Sequence, residues 1–358
     1  MPPVSRQIGV GMLGYAFMGK AHSRALRALP ELDAPLAPDL VSISGRNREA
    51  LEEVAARFGW AESVSDWREQ VIDDRIELFV NGGPNSIHAE PSIGALEAGK
   101  HVLCEKPLGL DAAESYRMWQ AAETAGTVHA CGFNYRFVPA IRRARELLEA
   151  GAVGDIVHFR ARYLQSWGWD ADTSIWRFDR AQAATGAIGD LGTHIIDLAR
   201  FLAGEIETIA ATVRTYVPGH EVDDAFTASI ELSNGAIGTL EATRLARGRV
   251  NQPTFEINGS EGSIAFDLQH FDELEVSDGG PFRTERVTGD WWPPGHLIGW
   301  GDTFTLEYAR VMSAIAGEGQ VAPYCATFED GYRAAEVCDA IQRSSSESNR
   351  VTISYRSL

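Results

Sequence analysis

Residues 6–19 read RQIGVGMLGYAFMG, and this stretch decides the fold. Its first eight residues are mostly apolar and include two glycines, which is typical of a short buried β-strand. A literal G-x-G-x-x-G starts at Gly9, but that register would place the glycines inside the strand. The turn must follow the strand and open a helix, so the better frame is Gly14–Gly19, with alanine at its middle position. Strand, turn and helix together predict a dinucleotide-binding site.

The small residues of this turn each meet a steric requirement. Gly14 permits the tight turn, Ala16 lets the backbone approach a pyrophosphate, and Gly19 allows the helix to pack closely on the strand. The amides and partial positive charge of the helix N-terminus then attract the phosphates. The predicted cofactor-binding residues of the turn are Gly14, Ala16, Phe17, Met18 and Gly19. A glycine-rich strand packed on a helix, without a ligand, is the alternative.

Short strands alternate with helices as far as residue 131, which indicates βαβ units and a parallel sheet. Strand-like runs dominate after residue 134 and indicate an antiparallel α+β domain. We therefore predict an α/β domain over residues 1–134 and an α+β domain over 135–358, whose last helix can pack back on the first. Strands are expected at 6–13, 40–44, 76–80, 101–104, 128–131, 155–165, 206–216, 222–232, 235–245, 252–258 and 262–268. Helices are expected at 18–29, 48–58, 66–71, 86–98, 111–125, 139–150, 302–316 and 327–344, and a loop-rich segment over 277–301.

The tip of the second strand reads Ser44-Gly45-Arg46-Asn47, four residues that we predict to contact the cofactor. An acid usually stands here and holds the ribose hydroxyls of the adenosine. No carboxylate is present, and Arg46 can accept a 2′-phosphate, so the cofactor is predicted as NAD(P) with NADP slightly favoured. NAD stays open, because Ser44 or Asn47 can hold an unmodified ribose and Arg46 can instead stack on adenine or lie in solvent.

Composition narrows the class of protein. The net charge of −18, from 50 acids and 32 bases, should repel nucleic acid and anionic membranes. No apolar run approaches the ~20 residues that span a bilayer, and residues 1–6 lack the apolar stretch of a secretory leader. The four cysteines show no metal-ligand spacing, so buried thiols are expected and no metal. We expect a soluble cytoplasmic protein.

Lys106 is one of three lysines among 32 basic residues, so 29 are arginines. It follows a strand-like run and precedes a proline, in Cys104-Glu105-Lys106-Pro107. The pKa of an ammonium group can change on burial, which a guanidinium cannot match. Lys106 is therefore a candidate for chemistry, with arginine-rich coding as the plain alternative for the low lysine count.

A second segment, residues 186–197, carries an Asp and a His four residues apart. Asp190, His194 and Asp197 fall on one face of a predicted helix, so Asp190 and His194 can point into the same cleft. The unperturbed pKa of histidine suits proton transfer near neutral pH. A helix cap at Asp190 with a core histidine is the structural alternative.

Taken in chain order, these motifs resemble the glucose–fructose oxidoreductase / inositol dehydrogenase family (Gfo/Idh/MocA). The matching pieces are Gly14–Gly19 followed by Ala21-His22, then Pro84-Asn85-Ser86-Ile87-His88, then Glu105-Lys106-Pro107, then Asp190-x-x-x-His194. The segments Tyr163–Trp167, Trp176-Arg177 and Glu241–Arg244 resemble its levoglucosan dehydrogenase branch in particular. Ala16 and Gly83 depart from the family pattern, which commonly has Gly and Thr there.

The resemblance implies a Rossmann domain followed by an open-faced antiparallel sheet domain, assembled as homodimers or homotetramers through that sheet. It implies that Lys106 hydrogen-bonds the reacting hydroxyl, that His194 is the general base and that Asp190 holds a neighbouring hydroxyl. It also implies a cis Lys106–Pro107 bond. The further cofactor contacts that it implies are Pro84, Asn85, His88, Glu105, Lys106, Trp176 and Arg177.

Six of the nine tryptophans fall after residue 134, and flat aromatic faces suit a sugar or cyclitol ring. Besides Lys106, Asp190 and His194, the predicted substrate-binding residues are Tyr135, Arg136, Tyr163, Gln165 and Trp167. The predicted function is NAD(P)-dependent oxidation of a ring hydroxyl in a neutral sugar, anhydrosugar or inositol. A redox-elimination glycosidase, a keto-sugar reductase and a non-catalytic dinucleotide sensor are the alternatives.

Overall fold

The structure is a computed structural model that describes residues 6–170, 172–289, 291–293 and 295–358. Met1–Ser5, on which the expectation of no leader partly depends, lie outside the described residues, as do two positions of the predicted loop region, 290 and 294. The chain forms two compact units. The first comprises residues up to 109, 113–137 and 299–332, and the second comprises 110–112, 138–298 and 333–358. The predicted domains instead divide the chain once, between residues 134 and 135.

The first unit contains a parallel sheet of six strands, as the alternation of strands and helices predicts. The strands are β1 (Arg6–Leu13), β2 (Leu36–Ser44), β3 (Glu62–Val64), β4 (Leu78–Asn81), β5 (His101–Glu105) and β6 (His129–Gly132). Their order is β3-β2-β1-β4-β5-β6. The order reverses at β1, so the carboxyl ends of β1 and β4 border the crevice where doubly wound sheets bind ligands.

Helices of the first unit follow the strands in alternation. They are α1 (Phe17–Ala28), α2 (Arg48–Phe58), α3 (Trp67–Val71), α4 (Ala89–Glu97), α5 (Ala112–Ala125) and, later in the chain, α9 (Trp300–Ile315). Short 3-10 helices cover Leu29–Glu31, Asn85–Ile87 and Asn134–Phe137. Apolar side chains of β1, α1 and α9, among them Val10, Leu26 and Phe304, form one buried cluster. The core of the first unit therefore combines residues near the start of the sequence with residues of α9, which comes much later.

Two buried polar side chains hydrogen-bond to strand and loop residues of this unit. Gln70 on α3 is 1% exposed, and its amide donates to the carbonyl of Ser42 at 2.9 Å while its oxygen accepts from the Ser44 hydroxyl at 2.8 Å. Lys100 donates to the carbonyls of Asp73 and Ile76 at 2.9 and 2.8 Å. Burial lowers the pKa of Lys100. Both side chains replace hydrogen bonds that the loop backbone would otherwise make with water.

The second unit is built on a sheet of nine strands in the described residues. They are β7 (Ile156–Leu164), β8 (Ile206–Arg214), β9 (Ala225–Leu232), β10 (Ile237–Thr243), β11 (Gln252–Gly259), β12 (Ser263–Asp267), β13 (Glu273–Ser277), β14 (Arg283–Arg286) and β15 (Val351–Thr352). Their order is β14-β13-β12-β11-β7-β10-β9-β8-β15, and every pair is antiparallel except β7 with β10. The expected antiparallel domain is present.

Helices α6 (Pro139–Glu149), α7 (Arg180–Ala183) and α8 (Thr193–Leu202) belong to the second unit. The last helix, α10 (Phe328–Glu347), begins in the first unit and continues in the second. Short 3-10 helices cover Trp167–Trp169, Trp176–Phe178 and Leu268–His270, and a π-helix covers Ile188–Gly192. No described helix combines the length and apolar character needed to cross a bilayer.

The segment 277–301, expected to be loop-rich, also contains one short strand. Strand β14 lies inside that segment, at the edge of the second sheet, and its side chains are mostly exposed. An edge strand without a buried face lacks the alternation of apolar residues by which strands are predicted. β3 and β15, which have three and two residues, escaped prediction because of their shortness.

Replacing Gln70 with Leu should lower the melting temperature of the first unit by several degrees. The substitution leaves the Ser42 carbonyl and the Ser44 hydroxyl buried with fewer partners, and an unsatisfied buried group costs ~1–3 kcal/mol. Thermal unfolding monitored by circular dichroism checks the result. Gln120→Leu on the exposed face of α5 is the control, and an equal effect of the two variants would contradict the assignment.

Candidate active site

The turn after β1 has the close approaches that the sequence predicts. Gly14 has φ +108°, and its N–H donates to the Ser44 carbonyl at 3.0 Å. A Cβ atom on Gly14 would lie 2.5 Å from the Gly82 carbonyl oxygen, and one on Gly19 would lie 2.3 Å from that of Gly14. Side chains at these two positions are therefore excluded by the backbone itself, and the turn exists only with glycine there.

The N-terminus of α1 is left open by its own side chains. Ala16 precedes the helix without a side-chain cap, and no acidic residue lies in the first turn. Phe17 is 63% exposed, and its ring stacks on Trp300 at 5.6 Å between centroids. Met18 is half-buried. The first-turn amides thus have the arrangement that favours an anion.

Two polar groups of Ser44, its hydroxyl and its carbonyl, have hydrogen-bond partners within the first unit. Its hydroxyl is fully buried and donates to Gln70, and its carbonyl accepts from Gly14. Ser44 stays a predicted cofactor contact, and its hydroxyl has an interior partner in this structure. Arg46 and Asn47 are exposed beyond it.

Tyr15 is a residue of this region that the prediction missed. Its ring lies over Gly45, where a Cβ atom would come within 2.2 Å of the ring carbons. The Tyr15 hydroxyl accepts the N–H of Asn47 at 3.2 Å, and the Asn47 side chain accepts the N–H of Ala50 at 3.1 Å. Both ends of the loop before α2 are thereby held. The tyrosine in the turn and the glycine at the tip of β2 were the sequence features from which this contact could have been predicted.

His88 joins two of the predicted motifs. Its ring nitrogens lie 2.8 Å from the Pro107 carbonyl and 3.0 Å from the Gly83 carbonyl. Burial lowers the pKa of His88, against the opposing effect of the two carbonyls. Pro84 and Asn85 lie in the loop that His88 closes, where Asn85 is buried. His88 therefore fixes the β4–α4 loop to the segment after β5, rather than lying free for a ligand.

Lys106 follows β5 directly, and its peptide bond to Pro107 is cis, which confirms the expectation. The Lys106 side chain is half-buried, and its main-chain N–H donates to Glu105 Oε2 at 3.1 Å. Glu105 is 3% exposed, so its side chain has almost no contact with solvent. The carboxylate of Glu105 therefore lies inside the unit, whereas the Lys106 residue is only half-buried.

Arg136, a predicted substrate-binding residue, is buried in the first unit. Its side chain is 3% exposed, pairs with Asp330 at 3.2 Å and donates to the Pro323 carbonyl at 3.1 Å. A buried guanidinium requires such partners, because an unpaired charge is costly in the interior. Tyr135 is also buried, with 4% of its surface exposed. The guanidinium of Arg136 therefore has an acidic partner and a carbonyl partner within the first unit.

Asp190 and His194 are not on one regular α-helix. Asp190 lies in the π-helical turn Ile188–Gly192, and His194 lies in the first turn of α8. The carboxylate of Asp223 accepts the N–H groups of Gly186 and Ile188 at 2.6 and 2.8 Å, which anchors this turn. Burial raises the pKa of Asp223, against the stabilising effect of these amides. π-turns are frequent at functional sites because they redirect side chains.

Arg244 is the second residue that the prediction missed. It is 1% exposed, and its guanidinium contacts Asp190 Oδ2 at 3.1 Å and donates to the Arg177 carbonyl at 3.3 Å. It also lies over the ring of Trp167 at 4.9 Å. Three predicted site residues of the second unit thus meet at one buried cation. The motif Glu241–Arg244 contained the signal, but its arginine had no visible partner in the sequence.

A line of neutral hydrogen bonds runs beside this cation. Trp167 donates to Gln165 at 2.6 Å, while Gln165 and Tyr163 each donate to Asn251 Oδ1 at 2.7 Å. The Tyr163 and His194 rings are 5.9 Å apart. The second unit therefore brings together the predicted residues Tyr163, Gln165 and Trp167, with Asn251 added. Trp176 and Arg177 stack on each other in the same unit, at 4.5 Å.

Two family models match the chain. The one described as "Oxidoreductase family, NAD-binding Rossmann fold" covers residues 8–133, and the one described as "GFO/IDH/MocA C-terminal domain" covers residues 141–265. A levoglucosan dehydrogenase of Pseudarthrobacter phenanthrenivorans is 39% identical over 97% of this chain and 98% of its own length. The chain belongs to the Gfo/Idh/MocA oxidoreductase family. The resemblance carried by the motifs is thereby confirmed.

A solved structure and a further relative agree with this family membership. Levoglucosan dehydrogenase in complex with NADH and levoglucosan matches with a TM-score of 0.93 and 40% identity, covering 98% of this chain and 100% of that one. An inositol 2-dehydrogenase of Rhizobium meliloti is 26% identical over 96% of this chain and 98% of its own length. The predicted fold class, a Rossmann sheet followed by an antiparallel sheet, is confirmed. Among the described residues no cluster of His, Cys, Asp and Glu could hold a metal ion.

Arg244 and Asp190 should prove energetically coupled. Arg244→Met leaves the carboxylate without its cation, and Asp190→Asn leaves the guanidinium buried without its anion, so both should lower stability. The double variant should lose ~0.5–3 kcal/mol less than the sum of the two, the range for contacting residues. Denaturant unfolding of the four proteins gives the coupling. The exposed pair Arg48 and Glu52 is the control cycle, and equal coupling in both cycles would refute a special role for the buried pair.

Proposed function

We propose that this oxidoreductase is an NAD-dependent dehydrogenase. Its substrate would be a neutral sugar, an anhydrosugar such as levoglucosan, or an inositol, oxidised at a ring secondary hydroxyl to the ketone. The main support is the 39% identity to levoglucosan dehydrogenase along almost the whole of both chains. Three features of this chain also support the proposal. They are the turn at Gly14–Gly19, the half-buried Lys106 and the anchored Asp190–His194 segment.

In the proposed reaction His194 takes the proton of the hydroxyl, and the hydrogen on the same carbon leaves as hydride. Lys106 would donate a hydrogen bond to the developing carbonyl oxygen, and Asp190 would hold a neighbouring hydroxyl. The bound nicotinamide supplies the hydride acceptor. An imidazole suits this task because its unperturbed pKa lies near neutral pH.

A neutral substrate fits the polar groups of the second unit. Trp167, Gln165, Asn251 and Tyr163 are uncharged polar side chains that hydrogen-bond one another, so this cluster presents no net charge to a substrate. The cation beside this cluster, Arg244, already faces the carboxylate of Asp190. A phosphorylated sugar would need a further cation here, so we propose an uncharged ring.

We propose NAD as the preferred cofactor, in place of the slight preference for NADP that Arg46 suggested. A 2′-phosphate at the tip of β2 would be bound by the amides that begin α2 as well as by Arg46. The amides of Asn47 and Ala50 are already bonded to Tyr15 and Asn47. A ribose with a free 2′-hydroxyl makes no such demand on these amides.

Assembly and location are further parts of the proposal. The sheet of the second unit presents an open groove of about 1060 Å³, lined by small and charged side chains that include Arg160 and Glu256. Its breadth supports a homodimer or homotetramer formed through this face. The four cysteines are buried and form no disulfide, which suits a reducing compartment, so we propose that the protein is cytoplasmic.

The substrate is tested with a panel of sugars, anhydrosugars and inositols, each with NAD and with NADP, read by absorbance of the reduced nicotinamide. We expect turnover of at least one neutral ring polyol. Lys106→Ala and His194→Ala should each reduce kcat by about 100-fold or more with folding retained, the lower range for lost general acid–base catalysis.

Lys20→Ala and His270→Ala, at exposed positions, are the matched controls. Near-normal rates in both Lys106 and His194 variants would end the assigned roles. Release of the leaving group from an aryl glycoside without net reduced nicotinamide would point instead to a redox-elimination glycosidase.

The cofactor proposal makes its own prediction. The wild-type kcat/KM should favour NAD over NADP, and Tyr15→Phe should shrink that preference about fivefold, because a freed Asn47 amide gains a phosphate contact worth ~1 kcal/mol. Tyr216→Phe, at an exposed tyrosine of the second unit, is the control. A wild-type preference for NADP would contradict the proposal.

A further inference from the structure

A buried chain of hydrogen bonds ends at the main chain of Lys106. Tyr308 on α9 lies 2.9 Å from Nδ1 of His22 on α1, and Nε2 of that histidine lies 3.0 Å from Glu105 Oε1. The other carboxylate oxygen, Oε2, accepts the N–H of Lys106 at 3.1 Å. All four residues belong to the first unit. Three elements distant in sequence therefore converge on one peptide group.

One arrangement of protons satisfies every group in this chain. The Glu105 carboxylate can only accept, so His22 donates through Nε2–H and its Nδ1 accepts the Tyr308 O–H. The opposite tautomer would leave the Tyr308 hydrogen without an acceptor among these groups. Burial, followed by the nearby charges of Glu307 and Glu105, raises the pKa of Tyr308 well above its usual value, which keeps it a donor. The chain therefore has a fixed direction, from Tyr308 to Glu105.

The surroundings leave the Glu105 carboxylate little freedom. His22 and Tyr308 are both 0% exposed, and Phe304 packs edge-on against the imidazole at 5.3 Å. Gly132 on the neighbouring strand β6 makes the room, since a Cβ atom there would lie 3.0 Å from Glu105 Oε1. A buried carboxylate is costly unless it is fully hydrogen-bonded. An apolar residue would fill this space at less cost, so the carboxylate serves something besides packing.

We propose that Tyr308, His22 and Glu105 are positioning residues that hold the backbone of Lys106 and thereby aim its amine. The proposal deepens the proposed function, on which it rests, because it assumes that Lys106 acts on substrate. The carboxylate restrains the peptide N–H one bond away from the Lys106 Cα, so a shift of the carboxylate is passed to the side chain. A displacement of ~1 Å in an active site can cost about 100-fold in rate.

The first test is kinetic. Tyr308→Phe removes only the hydroxyl that fixes the His22 tautomer, and we expect kcat to fall about tenfold, with KM for substrate and dinucleotide changed less than twofold. Glu105→Ala should lose more than Glu105→Gln, because the amide oxygen of glutamine can still accept the Lys106 N–H. This rescue by the conservative variant is not expected of a merely structural carboxylate. Tyr332→Phe, at a buried tyrosine that stacks on Trp119, is the control.

The second test does not depend on activity. Hydrogen exchange measured by mass spectrometry on peptides covering residues 101–109 should show faster exchange in Glu105→Ala and Tyr308→Phe than in wild type, with other segments unchanged. If the wild-type protein turns over no sugar, the proposed function fails, while this exchange still tests the restraint on Lys106. Unchanged exchange in both variants, or wild-type kcat in Tyr308→Phe, would overturn the positioning role.

Discussion

The approach of three strand ends at Gly14 is the contact on which the first unit depends. Gly14 donates to the Ser44 carbonyl of β2, and Gly82, just after β4, donates to the Leu13 carbonyl of β1 at 2.8 Å. These bonds close only because position 14 carries no side chain. The chain must then turn at once into α1, which sets the helix N-terminus at the edge of the sheet. The loop held by His88 and the segment after β5 line the same edge, since β5 neighbours β4.

The parts of the fold that the sequence predicted are those with a local signal. The Gly14–Gly19 turn and the alternation of strands with helices depend on residues close together, and both are present. The cis Lys106–Pro107 bond was implied by family resemblance and could not be deduced from the four residues around it. The π-helical turn at Asp190 was out of reach for a different reason. Its anchor is Asp223, more than thirty residues later, so no helical periodicity contains the information.

The same limit applies to individual site residues. Ser44 and Arg136 carry polar groups that suit a ligand, but Gln70 and Asp330 engage them inside the first unit. Arg244 was overlooked because its partner Asp190 precedes it by 54 residues, as their numbers show. A polar side chain can serve the interior or a ligand equally well by its chemistry. Only its spatial neighbours decide between the two, and a single sequence does not contain them.

The scarcity of lysine gives this protein an unusual reactivity towards amine-directed reagents. Lys100 is enclosed, with its ammonium group bonded to two carbonyls, and should resist acylation. That leaves Lys20 on the outer face of α1 and Lys106 beside the proposed nucleotide edge as the side chains open to modification. A covalent probe for amines should therefore react at Lys20 and Lys106, two sites that peptide mass mapping distinguishes, so that protection of Lys106 relative to Lys20 would report a ligand at the proposed nucleotide edge.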